Sequence, residues 1–302
     1  MDLMAMRRWG GVFLAVLAWC LWPVQVQAQA YPCPGPGPGE RMVGMTQAGP
    51  GIASVPLCVR DGPAPPPVST DRYAAIAWHP DAADIWVDGN YVGPNNVSET
   101  EALAACNAVM GGDCTSTGQW WNSKMAIIRD RSGGFYSAWM GDGGAGRKKL
   151  LAECSAKQLL PCEVFATIGA GTDRRSPGAL ARKLYAASAW NSGADGYDDN
   201  KLYVASGYRV LDDAIAAAIK ACGDASGHPC KLNMWTGNGF IQAYRLNGTD
   251  NTATIETSAK RAQQAAKLKC KQEGAKTCEL QALFDSRKPG VFVHDFNGGG
   301  GG

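Results

Sequence analysis

Cysteine is the residue type whose number and spacing could do the most chemistry in this 302-residue chain. Eight of its eleven cysteines form four pairs in which seven residues separate the two members. These pairs are Cys106 with Cys114, Cys154 with Cys162, Cys222 with Cys230, and Cys270 with Cys278. In an oxidising compartment they would form local disulfides, and an oxidised cysteine is neither a nucleophile nor a metal ligand. The spacing therefore predicts structural bridges and no catalytic cysteine.

The N-terminal segment indicates the compartment. Arg7 and Arg8 precede an eleven-residue apolar run at 12–22, which is too short to span a bilayer. Small residues follow at Ala28 and Ala30. This order is typical of a secretory signal peptide. We expect cleavage near Ala28 or Ala30, and a periplasmic or secreted mature chain without a transmembrane segment.

Removal of residues 1–30 takes Cys20 away and leaves an even number of cysteines. Cys33 and Cys58 then remain for a fifth bridge inside the Pro/Gly-rich segment 31–71. The competing interpretation is a lipoprotein modified at Cys20. It is disfavoured because the residue before this cysteine, Trp19, is bulky whereas lipid-attachment sites require a small one.

The cysteine pairs mark four copies of one small unit. Cys106 and Cys154 lie 48 residues apart, and so do Cys222 and Cys270. Repetition at a fixed interval indicates internal duplication. In each unit two strand signals precede an Ala-rich helix that ends near the first cysteine, and the second cysteine opens a return strand.

The helix boundaries follow from capping residues and composition. Ser98 and Glu101 predict a capping box for the first helix, and Asp212 predicts a cap for the third. The second and fourth helices are predicted at 147–158 and 258–272. Together these elements predict an α+β fold of two tandem small domains, each with two β-β-α units and mainly antiparallel sheet, stapled by disulfides.

The same pattern predicts the domain organisation. A first cysteine-paired domain spans 72–168, a linker spans 169–183, and a second cysteine-paired domain spans 184–286. Residues 287–302 are predicted to form a C-terminal strand and a Gly-rich tail.

The small-residue strands, the Ala-rich helix that ends in cysteine, and the cysteine that opens the next strand resemble the domain of unknown function 4189 family. Tyr73–Trp78 and Tyr185–Trp190 carry the strand motif and agree at five of six positions. The resemblance covers 73–167 and again 185–285, which implies tandem copies of a family of exported bacterial proteins. Some relatives occur beside secreted antibacterial effectors, and this implies an immunity or inhibitor role.

Other chemical signals are weak. His79, His228 and His294 lack the spacing of metal ligands, and no nucleophile motif occurs. The acidic stretch 195–200 is interpreted as a hairpin turn rather than a calcium loop. With 29 basic and 27 acidic residues, the chain has no unopposed basic block for a nucleic acid. We predict no cofactor, no metal and no nucleic-acid partner.

Aromatic residues remain as the candidate binding residues, because tryptophan beside glycine-rich loops can anchor a protein or stack on a sugar. The candidates are Trp120, Trp121, Trp235 and Tyr244. For the three tryptophans, core packing is an equal alternative. The tryptophans predicted to lie in the core are Trp78, Trp86, Trp139 and Trp190.

The sequence therefore favours an exported, non-enzymatic binding protein, as an inhibitor or immunity factor against a secreted antibacterial effector. Its partner would be a protein, either an effector or an envelope protein, or a cell-wall glycan. Two alternatives stay open: a cell-wall hydrolase whose carboxylates meet only in space, and a passive structural protein of the envelope.

The pairing of neighbouring cysteines can be tested directly. Non-reducing digestion and peptide mass mapping should recover the four short bridges and the Cys33–Cys58 bridge. A cross-link between different units, such as Cys106 with Cys154, would overturn the interpretation of repeated units.

Overall fold

The computed structural model describes residues 29–60, 70–93, 96–178, 180–191 and 200–298. It divides the chain into two compact units, Met1–Val68 and Ser69–Gly302. Residues 1–28 of the predicted signal peptide, with Cys20, lie outside the described residues, and so does the predicted turn at 195–200 apart from Asn200.

The N-terminal unit contains a small antiparallel sheet in the order β1-β3-β2. Its strands are β1 (Tyr31–Pro32), β2 (Glu40–Met45) and β3 (Pro56–Arg60). The predicted bridge between Cys33 and Cys58 is present and joins the end of β1 to β3.

The second unit contains two halves with similar orders of elements, in which one strand of the second half takes the place of two short strands of the first, and the second half ends with an additional strand. The first half has β4 (Arg72–Trp78), β5 (Trp86–Val92), α1 (Val97–Met110), β6 (Thr115–Ser116), β7 (Trp120–Trp121), β8 (Lys124–Arg129), β9 (Phe135–Trp139), α2 (Ala145–Ser155) and β10 (Glu163–Gly169). The second half has β11 (Tyr185–Trp190), β12 (Lys201–Tyr208), α3 (Leu211–Ser226), β13 (Lys231–Gly237), β14 (Phe240–Leu246), β15 (Asp250–Glu256), α4 (Ala259–Gln272), β16 (Cys278–Asp285) and β17 (Gly290–Asp295).

The second half is a sandwich of two antiparallel sheets between two helices. The sheets have the orders β13-β11-β12-β17 and β15-β14-β16. Successive side chains of a strand face opposite ways, so Ala186 meets Ile241 of the facing sheet whereas Ala187 packs against α3. On the far side, Tyr244 packs against Ala266 of α4.

The first half has the same layers. Its sheets are β5-β4-β6, to which β7 also pairs through β4, and β10-β8-β9. Ile127 belongs to the core shared with β4, whereas Ile128 on the opposite face packs against Leu150 and Cys154 of α2. The predicted α+β class with mainly antiparallel sheet is confirmed.

All four short bridges are present and serve the same purpose in each unit. Each links the last turns of a helix to the segment that opens the return strand, with Cα atoms 6.0 to 6.2 Å apart. Closing a loop this short stabilises a fold by roughly 2–3 kcal/mol in the chain-entropy model. The predicted pairing is confirmed.

The predicted capping box at the start of α1 is wrong. The helix begins at Val97 after Asn96, which has a left-handed backbone with φ 52°. Ser98 is buried inside the first turn, and its hydroxyl finds no partner among the described residues. Glu101 instead accepts a 2.6 Å hydrogen bond from Arg174, a residue too distant in sequence for a local motif to reveal.

The other helix starts fit the predictions more closely. Helix α2, predicted at 147–158, begins and ends slightly earlier. Asp212 lies in the first turn of α3 rather than at its cap, which is Val210, although a carboxylate there still favours the helix dipole. Ser258 caps α4, since its side chain accepts the backbone N–H of Arg261.

The segment 169–183, predicted to be a linker, lies against the first half. Backbone hydrogen bonds run both ways between Val87 of β5 and Arg175, and Ala82 forms a bridge with Arg182. The segment thus pairs with β5 much as β17 pairs with β12 in the second half.

Lys183, which directly precedes the second half, contacts residues of the first half. It is only 4% exposed, and its ammonium group donates a 2.7 Å hydrogen bond to the carbonyl of Pro80 and lies over the ring of Phe135. Beside it, the Tyr185 hydroxyl donates to Asp81 at 2.6 Å. Burial lowers the pKa of Lys183 to about 8, although the charges of nearby aspartates oppose this shift.

This buried lysine predicts an unusual pH dependence of stability. Between pH 8 and the ordinary lysine pKa near 10.5, the unfolded chain binds more protons than the folded one, so raising the pH stabilises the fold. The gain is about 3 kcal/mol at its limit. Urea unfolding from pH 7 to 10 should show most of this gain as a change with pH in the difference between the unfolding free energies of the native chain and Lys183→Met. Lys148→Met, on the exposed face of α2, is the control, and equal pH profiles for all three proteins would contradict the prediction.

Candidate functional site

A cleft of about 600 Å³ opens between the two halves of the second unit. One wall is the β8–β9 turn together with α2, and the other is strand β13. Its apolar lining includes Leu150, Leu232, Met234, Trp235 and Ile255. The volume lies in the range of sites that enclose a small ligand or a few side chains of a partner.

Strand β13 lies at the edge of its sheet and presents four consecutive residues, 232–235, to the cleft. The register is interrupted there: Ser188 pairs with Met234, and Ala189 pairs with Leu232. Asn233 is therefore the extra residue of a β-bulge, which bends the strand and leaves a residue out of the ladder. Trp235 turns to the α3 side, where its ring meets Tyr185 edge-on at 6.3 Å.

The β8–β9 turn closes one end of the cleft. Asp130 holds this turn, since its carboxylate accepts hydrogen bonds from the backbone N–H groups of Ser132 and Gly134 and from two hydroxyl groups. The carbonyl of Ser132 then accepts the backbone N–H of Gly237 at 3.0 Å. The end of β13 is thereby fixed to the first half.

A charged network forms a second joint between the halves. Glu163 of β10 accepts hydrogen bonds from Arg129 at 2.9 Å and from Thr257 at 2.6 Å. Arg261 of α4 donates to Glu256 at 2.9 Å and to the carbonyl of Pro161 at 2.7 Å, with Glu163 3.7 Å away. Four charged side chains from both halves thus share one cluster.

The two carboxylates of this cluster have opposite pKa shifts. Burial raises the pKa of Glu256, and the pairing with Arg261 only partly offsets it. Burial also opposes ionisation of Glu163, but the hydrogen bonds from Thr257 and Arg129 outweigh it and lower its pKa. Opposed pairs of this kind occur in acid–base catalysis. Here Glu256 has no exposed surface, so the cluster serves first as a joint.

The four aromatic candidates do not form one surface. Trp120 is 4% exposed and Tyr244 is 1% exposed, so both are largely buried, although Tyr244 contributes to the lining of a cavity of about 550 Å³ beside the cleft. Trp121 is 59% exposed on β7 and adjoins Tyr73. Trp235 alone among the four lines the cleft.

The predicted core tryptophans also divide. Trp86 is fully buried, as predicted, and Trp78 and Trp190 are partly buried. Trp139 is 51% exposed, so its assignment to the core is wrong. Its ring covers Gly141 so closely that a Cβ there would lie 2.0 Å from the ring, and this local glycine contact replaces core packing.

The described residues contain no group of three His, Cys, Asp or Glu side chains placed to hold a metal ion. His79 accepts the backbone N–H of Asp81, and His294 packs edge-on against Phe296. Within the same part of the chain, no helix has both the length and the hydropathy of a membrane span.

Comparison with known families gives one match. The family described as "Domain of unknown function (DUF4189)" matches residues 73–168, which run from β4 to the end of β10. No curated protein and no solved structure is significantly similar to the chain.

The charged joint gives a stability prediction. Arg261→Met would leave Glu256 buried without its cation, and we expect the free energy of unfolding to fall by about 3–5 kcal/mol. The double variant Glu256→Leu with Arg261→Met removes both charges and should lie within about 1 kcal/mol of the native chain. Urea unfolding of both variants and of Glu256→Leu alone measures the coupling. If the changes in unfolding free energy of the two single variants add up to that of the double variant, Glu256 and Arg261 do not stabilise each other and the pair is not a joint.

Proposed function

We propose that this chain is an exported, non-enzymatic binding protein that holds a partner protein in the cleft beside β13. The more specific role that we propose is an inhibitor or immunity factor that neutralises a secreted antibacterial effector. The resemblance of the repeated unit to exported bacterial proteins found beside such effectors supports this role by association.

One observation carries the proposal. Leu232, Met234 and Trp235 of an edge strand all contribute to the lining of a cleft that also contains charged side chains, and the end of this strand is hydrogen-bonded to the facing half. Protein interfaces have this arrangement, with one or a few aromatic anchors in a pocket and a polar border around them. A partner could bury Trp235 further without unfolding either half.

The compartment and the repeat belong to the same proposal. Five disulfides are typical of exported or secreted proteins. We propose that a signal peptide is cleaved near Ala28 or Ala30 and that the mature chain is periplasmic or secreted. The second half repeats the layers and the bridges of the matched segment 73–168, which supports its interpretation as a second copy of the family.

The test begins by identifying the partner through the cleft. A photo-crosslinking residue in place of exposed Leu232 should capture a specific protein in the native compartment, whereas the same residue in place of Val109, on α1, should not. With the identified protein, Trp235→Ala should weaken binding about thirtyfold, because a buried tryptophan anchor contributes about 2 kcal/mol. Trp121→Ala, the matched control at an exposed tryptophan outside the cleft, should bind normally. Equal binding by both variants would exclude the cleft as the partner site.

The hydrolase alternative has one observation in its favour, the opposed pKa shifts of Glu163 and Glu256. It predicts clearing of peptidoglycan in a zymogram that Glu163→Gln abolishes while the variant remains folded. A passive envelope protein, the other alternative, predicts neither clearing nor a specific crosslink from position 232.

A further inference from the structure

The cleft continues into a second cavity of about 550 Å³. The two cavities share Arg131, Lys157, Gln158 and Met234 in their linings. The second cavity extends past the end of α2 to β15 and α4. We call these two adjoining cavities together the β13 trough; their combined lining runs from the β8–β9 turn along β13 to α4.

The unbalanced charges of the β13 trough are positive. Its two acidic residues have partners of their own: Asp130 accepts the hydrogen bonds of its turn, and Glu153 lies 3.9 Å from Lys149. Among the described residues, no carboxylate lies within 4.0 Å of the Arg131 or Lys157 side chain. The lining of the second cavity contains no acidic residue at all.

The backbone of β13 adds a directional element. Within the described part of the chain, β13 pairs with β11 on one side only, and Gly237 at its end bonds to the β8–β9 turn. Asn233, the bulged residue, is exposed between the two side chains that enter the trough, Leu232 and Met234. An edge strand can accept an extended segment through main-chain hydrogen bonds, with side-chain specificity from the pockets beside it.

We propose that the β13 trough binds an extended, acidic polypeptide segment of the partner, which lies along β13 and places carboxylates against Arg131 and Lys157. This inference rests on the proposed function and names the chemistry of its partner. Alternate side chains of such a segment point opposite ways, so acidic residues on one face and apolar residues on the other would fit the cations and the apolar lining at Leu150, Leu232 and Met234 together.

The aliphatic part of the lining fits the side chains of a polypeptide. Sugars stack on an open aromatic face; the Trp235 ring is in edge contact with Tyr185 and only partly exposed, so Tyr136 is the exposed aromatic residue of the cleft lining. The surrounding side chains, Leu150, Leu232 and Met234, are aliphatic or thioether groups, which adapt to apolar side chains.

The experiment uses two labelled decapeptides, one alternating glutamate with valine and one alternating lysine with valine. Fluorescence anisotropy with the oxidised mature chain should show roughly tenfold tighter binding of the acidic peptide, and the preference should shrink as salt is raised. The double variant Arg131→Glu with Lys157→Glu should lose roughly tenfold in affinity for the acidic peptide. The double variant Lys148→Glu with Lys267→Glu makes the same charge change at exposed positions of α2 and α4 outside the trough and should retain most of the affinity.

The outcomes separate this inference from the proposed function. If Trp235→Ala weakens binding of the crosslinked partner while the double charge variant binds it normally, the cleft is the partner site, but the inference that the partner contributes an acidic segment is wrong. If neither variant affects the partner, both proposals fail. Binding of soluble peptidoglycan fragments that depends on Arg131 and Lys157, without a preference for the acidic peptide, would assign the trough to a glycan and overturn the inference. Far-UV circular dichroism and thermal melting should show that every variant keeps the native fold.

Discussion

The close approach of α1 and α3 to alanine-rich strands is the constraint on which the remaining structure depends. Ala187 and Ala205 have no side chain beyond Cβ, so α3 can lie directly on its sheet, and the Cys222–Cys230 bridge keeps it there. A helix on one face of each sheet leaves the opposite face to another sheet, which produces the layered halves. Helices and sheets then cover each other's faces, and the strand edges, β13 among them, are not covered by this layering.

Buried charge, rather than apolar area alone, determines how the two halves meet. Lys183 and Glu256 are both removed from water, and each costs stability unless its partners are in place. Such groups tolerate few alternative arrangements, because a shift of the halves would strand them without hydrogen bonds. The cleft is therefore defined by joints that specify one geometry, and a partner would meet a preformed site.

Local patterns in the sequence predicted what is local in the structure. The cysteine spacing predicted the four short bridges, and the small-residue strands predicted the sheets, because each depends on neighbours within one unit; the fifth bridge followed from the two cysteines that remained. The cleft is lined by Arg131 from one half and Trp235 from the other. No periodicity in the sequence predicts that two such distant residues line the same cleft. The capping box failed for a related reason, since Arg174 draws Glu101 into a distant ion pair. Trp139 was misassigned because hydrophobicity does not reveal that a glycine lies beneath its ring.

The short span of the bridges has a consequence for how the molecule can come apart. Every bridge in the second unit closes within its own helix and return strand, and none of the four crosses from one half to the other. The bridges thus hold each helix to its own return strand, while the orientation of the two halves relative to each other relies on non-covalent contacts. Separation of the halves would break no bridge and would expose little of either core. The cleft between the halves could therefore open partially and reversibly while the secondary structure stays almost unchanged.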